Sequence, residues 1–492
     1  MINRSLSARL KTSIPARCLL AITLSVVTLA LSSCAQRIYV IPEYTFAGRP
    51  VPPSLLLERV LVGITTNGSS GSLEILDGLR DIRNNVQNTK PAFFISGYSG
   101  GYPSLILNFP EQLRGYVYSN ISPYSVSVIN YSTEASAGSG GSFPAQSTSL
   151  ATASDFLRVY SAEEATGQLV IQDNQLGQIF GLNLPNVYKV AVNQGDTVAL
   201  AMVRNSNSIY RVIKLNNGAV NPPGAVDCEP TILPVYCVVP VPGTFDRPQN
   251  AYFSTDGSTA YILNCGVECG GGSNGGSSVS VLPQGNLTIN VIPTATPYPP
   301  VVTQTFAIPG GATTALSDGT NLYLAGQQLQ PDGLFEGFLT TMPIATMVPG
   351  TPVPISDGTH SKLLLADDNT LWIGSQSCAN GERAKQGLNY NCLTSYNTST
   401  GAATIIPANV VPGSTNAANQ VPYPNQNDNL YYYGSLTGIC WVQGYHKVYT
   451  AYGGQVHAFN TADGSEINNV NIIVQGTALD VAYMDASTNT AN

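Results

Sequence analysis

The sequence predicts an all-β protein, a β-propeller closed by pairing its N- and C-terminal strands, and three observations carry that prediction. β-branched and aromatic runs of four to eight residues alternate with Gly, Asn, Asp, Ser and Pro clusters, and helical periodicity is confined to short pieces such as Pro110–Leu113 and Ser161–Ala165. A strand, tight turn, strand unit recurs roughly every 50 to 75 residues. The chain's end, Ala478–Asp485, has the pattern of a unit's first strand, and its early runs Arg59–Thr66 and Ser72–Asp77 have that of later strands.

The unit is clearest at Asn250–Asn264, where two apolar strands flank Asp256-Gly257. An Asp-Gly pair suits a two-residue hairpin, in which both central positions take positive φ. Further copies are Ala315–Leu324, around Asp318-Gly319, and Leu363–Gly374, around Asp368-Asn369. Val190–Leu200 and Cys440–Tyr449 are looser copies, and third strands follow at Ser278–Leu282, Leu393–Asn397 and Gln455–Asn460. Repeated sheets arranged radially leave only short, protected edges. The count is seven blades if Asp155–Leu184 belongs to its neighbour and eight if it stands alone, and seven is the expectation. A pair of β-sandwich domains is the competing arrangement, and the complementary ends argue against it.

Arg247–Gly257 followed by Ala260–Asn264 resembles the repeat of YVTN-type propellers, with its Pro-led strand, Asp-Gly turn and Tyr-containing second strand. The match is good in this unit, partial in four others and absent as a strict motif before residue 185. It implies a WD40/YVTN-like propeller. Some relatives of that kind are hydrolases acting on lactones, so a lactonase-like enzyme is one functional expectation.

The N-terminus supplies an address. Arg4, Arg9, Lys11 and Arg17 precede an apolar run from Cys18 to Leu31, the order of a signal peptide. The run falls short of the roughly 20 residues that a spanning helix needs. Leu31-Ser32-Ser33-Cys34 resembles the lipobox of bacterial lipoproteins, which implies cleavage before Cys34, lipidation of its sulfur and acylation of the new N-terminus. The resulting division is a signal peptide over 1–33, a lipidated cysteine and Pro-rich tether over 34–54, and the propeller over 55–492. Ala35 after the cysteine resembles the pattern for outer-membrane sorting, so the expected location is a bacterial cell envelope, with the membrane as partner through the lipid.

Loss of four basic residues with the leader takes the net charge from −8 to about −12, so a basic nucleic-acid footprint is missing. Charged residues make up 10% of the chain, against about 25% in ordinary soluble proteins. Neutral polar groups must therefore solvate the surface. That suits an extracytoplasmic protein and leaves an envelope protein or a glycan as the expected partner.

Six of the remaining cysteines fall into local pairs. In an oxidising compartment they predict disulfides Cys228–Cys237, Cys265–Cys269 and Cys378–Cys392, with Cys440 a buried free thiol. Cys265-Gly-Val-Glu-Cys269 also resembles half a zinc site, but no second close pair or histidine lies near it.

Few residues have a pattern that points to catalysis. Gly97-Tyr98-Ser99-Gly100-Gly101 fits G-x-S-x-G, yet Tyr102-Pro103 leads into a strand instead of the helix that a nucleophile elbow requires. His446 and His457 lie on one unit and could approach each other; with His360 they are the only histidines. They are expected to be ordinary surface or strand residues. Asp256, Asp318, Asp357 and Asp368 occupy comparable turns, where hard oxygens could hold calcium but more often simply form the turn. Gly270–Gly276 lacks a phosphate loop's strand-to-helix setting. Tyr431, Tyr432, Tyr433 and Trp441 could form an aromatic platform, though alternating aromatics mostly pack blades. No catalytic residue, metal or cofactor is assigned. The expected function is binding or assembly in the envelope, with a lactonase-like hydrolase and a structural or adhesive surface protein as alternatives.

Overall fold

The computed structural model describes residues 46, 48–82, 93–215, 222–272, 276–290, 304–378, 391–407, 433–467 and 472–489. Met1–Arg49 is one unit, of which only residues 46, 48 and 49 are described, and Pro50–Asn492 is a second. Cys34 and the lipobox lie outside the described residues, as do Tyr431, Tyr432 and the 273–275 part of the glycine run.

Pro50–Asn492 is a β-propeller of eight blades. Blade 1 combines Arg59–Thr65, Gly71–Asp77 and Phe93–Phe94 with Thr477–Tyr483 as its innermost strand. The innermost strands of blades 2 to 8 are Pro103–Phe109, Ser149–Thr152, Val187–Val192, Pro248–Phe253, Thr314–Ser317, Thr359–Ala366 and Leu436–Val442. Every pairing within a blade is antiparallel, and each joins successive strands except the closing pair and the pair Ile209–Leu215 with Val235–Pro240 in blade 4. Antiparallel neighbours need only short turns, which the Gly, Asn and Asp clusters supply.

The hydrophobic pattern explains the ring. Central strands such as Arg59–Thr65 and Arg158–Glu163 are buried throughout their length, because both faces of a blade meet a neighbour. Among the described residues an apolar cluster fills each of the eight blade interfaces, and a ninth, around Ile213 and Cys237, lies in the outer strands of blade 4. Val60, Val62 and Tyr449 join blades 8 and 1; Leu61, Ile106 and Val117 join blades 1 and 2; Trp372 and Phe459 join blades 7 and 8. The remaining five interfaces are filled in the same way. At about 25 cal/mol per Å² of apolar surface buried, these clusters are the main cohesive term of the ring.

Closure occurs as the two ends of the sequence predict. Thr477–Tyr483 pairs antiparallel with Arg59–Thr65, from Val60 opposite Tyr483 to Thr65 opposite Thr477. The stretch left open between seven and eight stands alone: Ser149–Thr152, Arg158–Glu163, Gln168–Asp173 and Gln178–Asn183 form blade 3. The whole unit runs only from Ser149 to Asn183, shorter than the recurring spacing read from the sequence.

The Asp256-Gly257 turn differs from the expected two-residue hairpin. Gly257 has φ 73° and Asp256 is not left-handed, because Phe253 pairs with Ala260 and leaves a longer loop in which the Gly257 N–H donates to the Ser254 carbonyl. Two adjacent positive φ angles do occur at Asp368 and Asn369, 62° and 55°.

The disulfides are Cys228–Cys237, Cys265–Cys269 and Cys378–Cys392, and Cys440 is free and buried. Cys228 lies directly opposite Cys237 across the two outermost strands of blade 4, which secures an edge that has no further strand. Sulfurs joined in this way are not zinc ligands. Among the described residues no helix is long and apolar enough to cross a membrane.

Candidate functional site

Two cavities lie on and along the propeller axis. The larger, about 830 Å³, opens where the first hairpins of blades 3, 4 and 5 meet, and its walls include Thr152, Ser154, Gln194, Thr197, Thr255 and Gln284. These residues sit in or beside turns, where polar side chains fasten the backbone. Asn193 shows the pattern: its carbonyl oxygen accepts the Thr197 and Val198 N–H groups at 2.8 and 2.9 Å. Its amide donates to Thr197 Oγ1 at 2.8 Å and to Gln284 Oε1 at 3.0 Å. Gln284 Nε2 in turn donates to the Thr259 carbonyl at 2.9 Å. A hydrogen-bonded frame thus ties blade 4 to blade 5 beneath the cavity floor.

Asp256 is on the rim of this cavity. Its Oδ1 accepts the Ser254 hydroxyl at 2.7 Å, the Ser258 N–H at 3.0 Å and the Ser258 hydroxyl at 2.8 Å. These bonds, Ser254 first, hold its pKa down at about 2. Phe109 and Asn489 also belong to the wall, and Asn489 Nδ2 donates to Gln112 Oε1 at 2.9 Å.

The smaller cavity, about 400 Å³, is axial, with walls from the innermost strands of blades 1, 2, 6, 7 and 8, and it shares Phe109 and Asn489 with the larger one. Most of its wall is apolar, for example Leu105, Ala315 and Ile439, but it contains an ion pair between Lys362 and Asp480, Nζ to Oδ1 3.4 Å.

The residues weighed from sequence are scattered over the ring. Asp318 fastens its own turn, accepting from the N–H groups of Thr320 and Asn321 and from the Tyr323 hydroxyl. Asp357 accepts the Gly337 N–H, and Asp368 pairs with the His446 ring at 2.8 Å. Only Asp256 of the four reaches the large cavity, and no group of three or more His, Cys, Asp and Glu able to hold a metal occurs among the described residues.

His446 is an exposed turn residue, its pKa raised by the hydrogen bond to Asp368. His457 is buried, with Nδ1 2.7 Å from Glu466 Oε1 and its ring stacked on Tyr433 at 4.4 Å. The two histidines therefore do different structural jobs within one blade. His360 is buried with Nε2 2.8 Å from the Ser356 carbonyl, and burial lowers its pKa to about 4. Ser99 is exposed in an irregular connection that leads into the strand Pro103–Phe109. Asp246 gathers the described part of the glycine run, accepting the N–H groups of Gly272 and Gly276. Tyr433 is buried and donates to Glu466, while Trp441 Nε1 donates to Asp367 at 2.9 Å. Both pack the blade and neither forms a platform.

Sequence inspection missed the cavity walls. Gln194, Thr255 and Thr288 are ordinary turn residues until the ring brings their blades together. The axial lysine did leave a signal, since a charged residue within Thr359–Ala366, an innermost strand, is unusual in a chain so poor in charge.

No protein-family model matches the chain, and no curated protein matches it. Solved structures do resemble it. Dihydro-heme d1 dehydrogenase NirN, in complex with DHE, is 12% identical with a TM-score of 0.49, over 89% of this chain and 79% of that one. Apo AztD from Citrobacter koseri is 11% identical with a TM-score of 0.44, over 87% of this chain and 98% of that one. The β-propeller domain of Cps50 (Swd1) from Myceliophteria thermophila is 10% identical with a TM-score of 0.42, over 74% of this chain and 98% of that one. At such identities the likeness concerns the fold alone, and what the site binds has to be argued from its own side chains.

Proposed function

We propose that this chain is a binding module of a bacterial cell envelope, anchored through a lipid on Cys34, and that the large face cavity receives a glycan. The observation that carries the proposal is the chemistry of the cavity wall. Ser154, Gln194 and Thr255 bring hydroxyls and a side-chain amide from three different blades to a cavity of about 830 Å³. Such groups donate and accept hydrogen bonds, as sugar hydroxyls do, and the carboxylates of Asp256 and Glu111 on the same wall add acceptors for sugar hydroxyls. Phe109 offers the aromatic surface against which a pyranose ring can lay its C–H face. The scarcity of charge over the whole chain supports the same ligand class, because a neutral partner needs no steering field.

The test is a titration of purified protein with soluble oligosaccharides, including muramyl and N-acetylglucosamine oligomers, followed by calorimetry. Saturable binding to at least one of them is expected, weakened at least tenfold by the double substitution Gln194→Ala with Thr255→Ala. Absence of saturable binding across the set would overturn the glycan assignment, and so would binding that is indifferent to the double substitution.

A further inference from the structure

Three innermost strands carry a charged residue at the same step. Each slips by one residue against its neighbour: between Val187 and Lys189 in blade 4, between His360 and Lys362 in blade 7, and across Leu479 in blade 1. The residue just after the slip is Lys189, Lys362 and Asp480 respectively. Blades 2, 5 and 8 slip in the same way, after Pro103, Pro248 and Leu436, and put the uncharged Leu105, Asn250 and Gly438 at that step. Equivalent positions on equivalent blades fall at one level of a propeller, so these six residues share a layer around the axis, and Lys189, Lys362 and Asp480 are its charged members.

The charges of this layer do not balance. Asp480 is 2% exposed, and its carboxylate accepts the Ile106 N–H at 2.8 Å, the Val481 N–H at 3.0 Å and the Lys362 ammonium at 3.4 Å. Lys189 brings a second ammonium, and among the described residues no carboxylate pairs with it. It is half-buried, and its pKa is pushed below the ordinary lysine value, first by burial and then by the Lys362 charge. A half-buried ammonium that feels a second one and lacks a counter-ion is costly. The Asn250 side-chain amide adds a neutral donor at the same level, its oxygen being occupied by the Ala251 N–H at 3.0 Å.

We propose that the axial channel binds a small oxyanion, the carboxylate or phosphate group of a low-molecular-weight ligand, between Lys189 and Lys362. An oxyanion would supply the missing negative charge and accept from both ammoniums, charge-assisted bonds being the stronger kind. Lys362, Asp480 and Leu105, three residues of this layer, line the axial cavity of about 400 Å³, and Lys189 joins them through the strand register it shares. Phe109 and Asn489 border both cavities and give the anion a route in from the face. The site does not rest on the glycan assignment: it shares the border residues Phe109 and Asn489 but uses none of the hydroxyl and amide groups of the cavity wall.

The experiment is calorimetric titration of the purified protein, in a buffer without other oxyanions, with inorganic phosphate and separately with succinate. Saturable binding of at least one is expected; phosphate alone or succinate alone identifies the favoured group. Lys189→Met should weaken binding about tenfold or more and, in the absence of anion, raise Tm, because it removes an uncompensated charge and strands no partner. Lys362→Met would strand Asp480, which makes the Lys189 variant the decisive one. Failure of the wild type to bind either anion overturns the proposal. So does a Lys189→Met variant that binds as tightly as wild type, or one that loses stability without anion.

Discussion

Arg59 and Asp485, separated by 426 residues in the chain, form a buried two-point ion pair: Nη2 lies 2.6 Å from Oδ1 and Nε 3.0 Å from Oδ2. The Arg59 backbone N–H donates to the same carboxylate at 2.8 Å. The guanidinium also reaches Glu134 of blade 2 at 3.0 Å and the Tyr131 carbonyl at 2.6 Å. Ser54 adds its N–H to Glu134 Oε2 at 2.9 Å. One side chain thus fastens the start of the propeller, its end and the next blade.

Removing that side chain should be expensive. Arg59→Met strands two buried carboxylates, and breaking a buried pair by deleting one partner costs about 3–5 kcal/mol. Chemical denaturation should show the midpoint falling accordingly. Adding Asp485→Asn and Glu134→Gln to Arg59→Met should recover much of the loss, since the uncompensated charge is then gone; equal loss in the single and triple variants would show that packing, not charge, dominates.

Glu268 makes stability depend on pH. It sits in the turn Gly266–Cys269, and burial raises its pKa from the ordinary 4.5 to about 7, although the Gln327 N–H and Nε2 donate to its oxygens at 2.8 and 3.0 Å. Below pH 4.5 folded and unfolded forms both hold the proton. Between 4.5 and 7 the unfolded chain releases it while the folded chain keeps it, so stability falls as pH rises through this window and levels off above it. Each factor of ten in the ionisation constant is worth about 1.4 kcal/mol. Glu268→Gln should flatten that slope in denaturation curves taken from pH 4 to 8, and an unchanged slope would remove Glu268 as its source.

Cys34→Ser should move the protein from the membrane fraction to the soluble fraction of an expressing bacterium, without altering the propeller. The anchoring claim fails if the variant stays with the membrane after carbonate and high-salt washes.

The ring was legible in the chain because propeller strands are short, apolar and periodic. Ala478–Asp485 and Arg59–Thr66 could be matched as parts of one blade from pattern alone. The cysteine pairs were legible because each closes a local loop. Blade 3 is ambiguous in the sequence because the strict repeat motif is missing before residue 185, so Asp155–Leu184 can be read alone or with its neighbour. The turn at Asp256 is not legible in the sequence, because an Asp-Gly pair fits several loop lengths and strand register, a non-local property, picks among them. Gln194 and Thr255 meet across a cavity only because blades 4 and 5 are neighbours on the ring. Lys189 and Lys362 share a level only because both strands slip at the same step. Pattern along the chain specifies blades; chemistry between blades depends on closure.

That closure has a kinetic side. While the chain is being made, Arg59–Thr65 has Gly71–Asp77 on one flank and nothing on the other until Thr477–Tyr483 arrives. Such a distant pairing is slow, and a waiting apolar edge can recruit a strand from another molecule. The most vulnerable moment in this protein's life therefore falls just before its last strand docks, when seven blades can already be in place and a second unfinished copy offers the same missing strand.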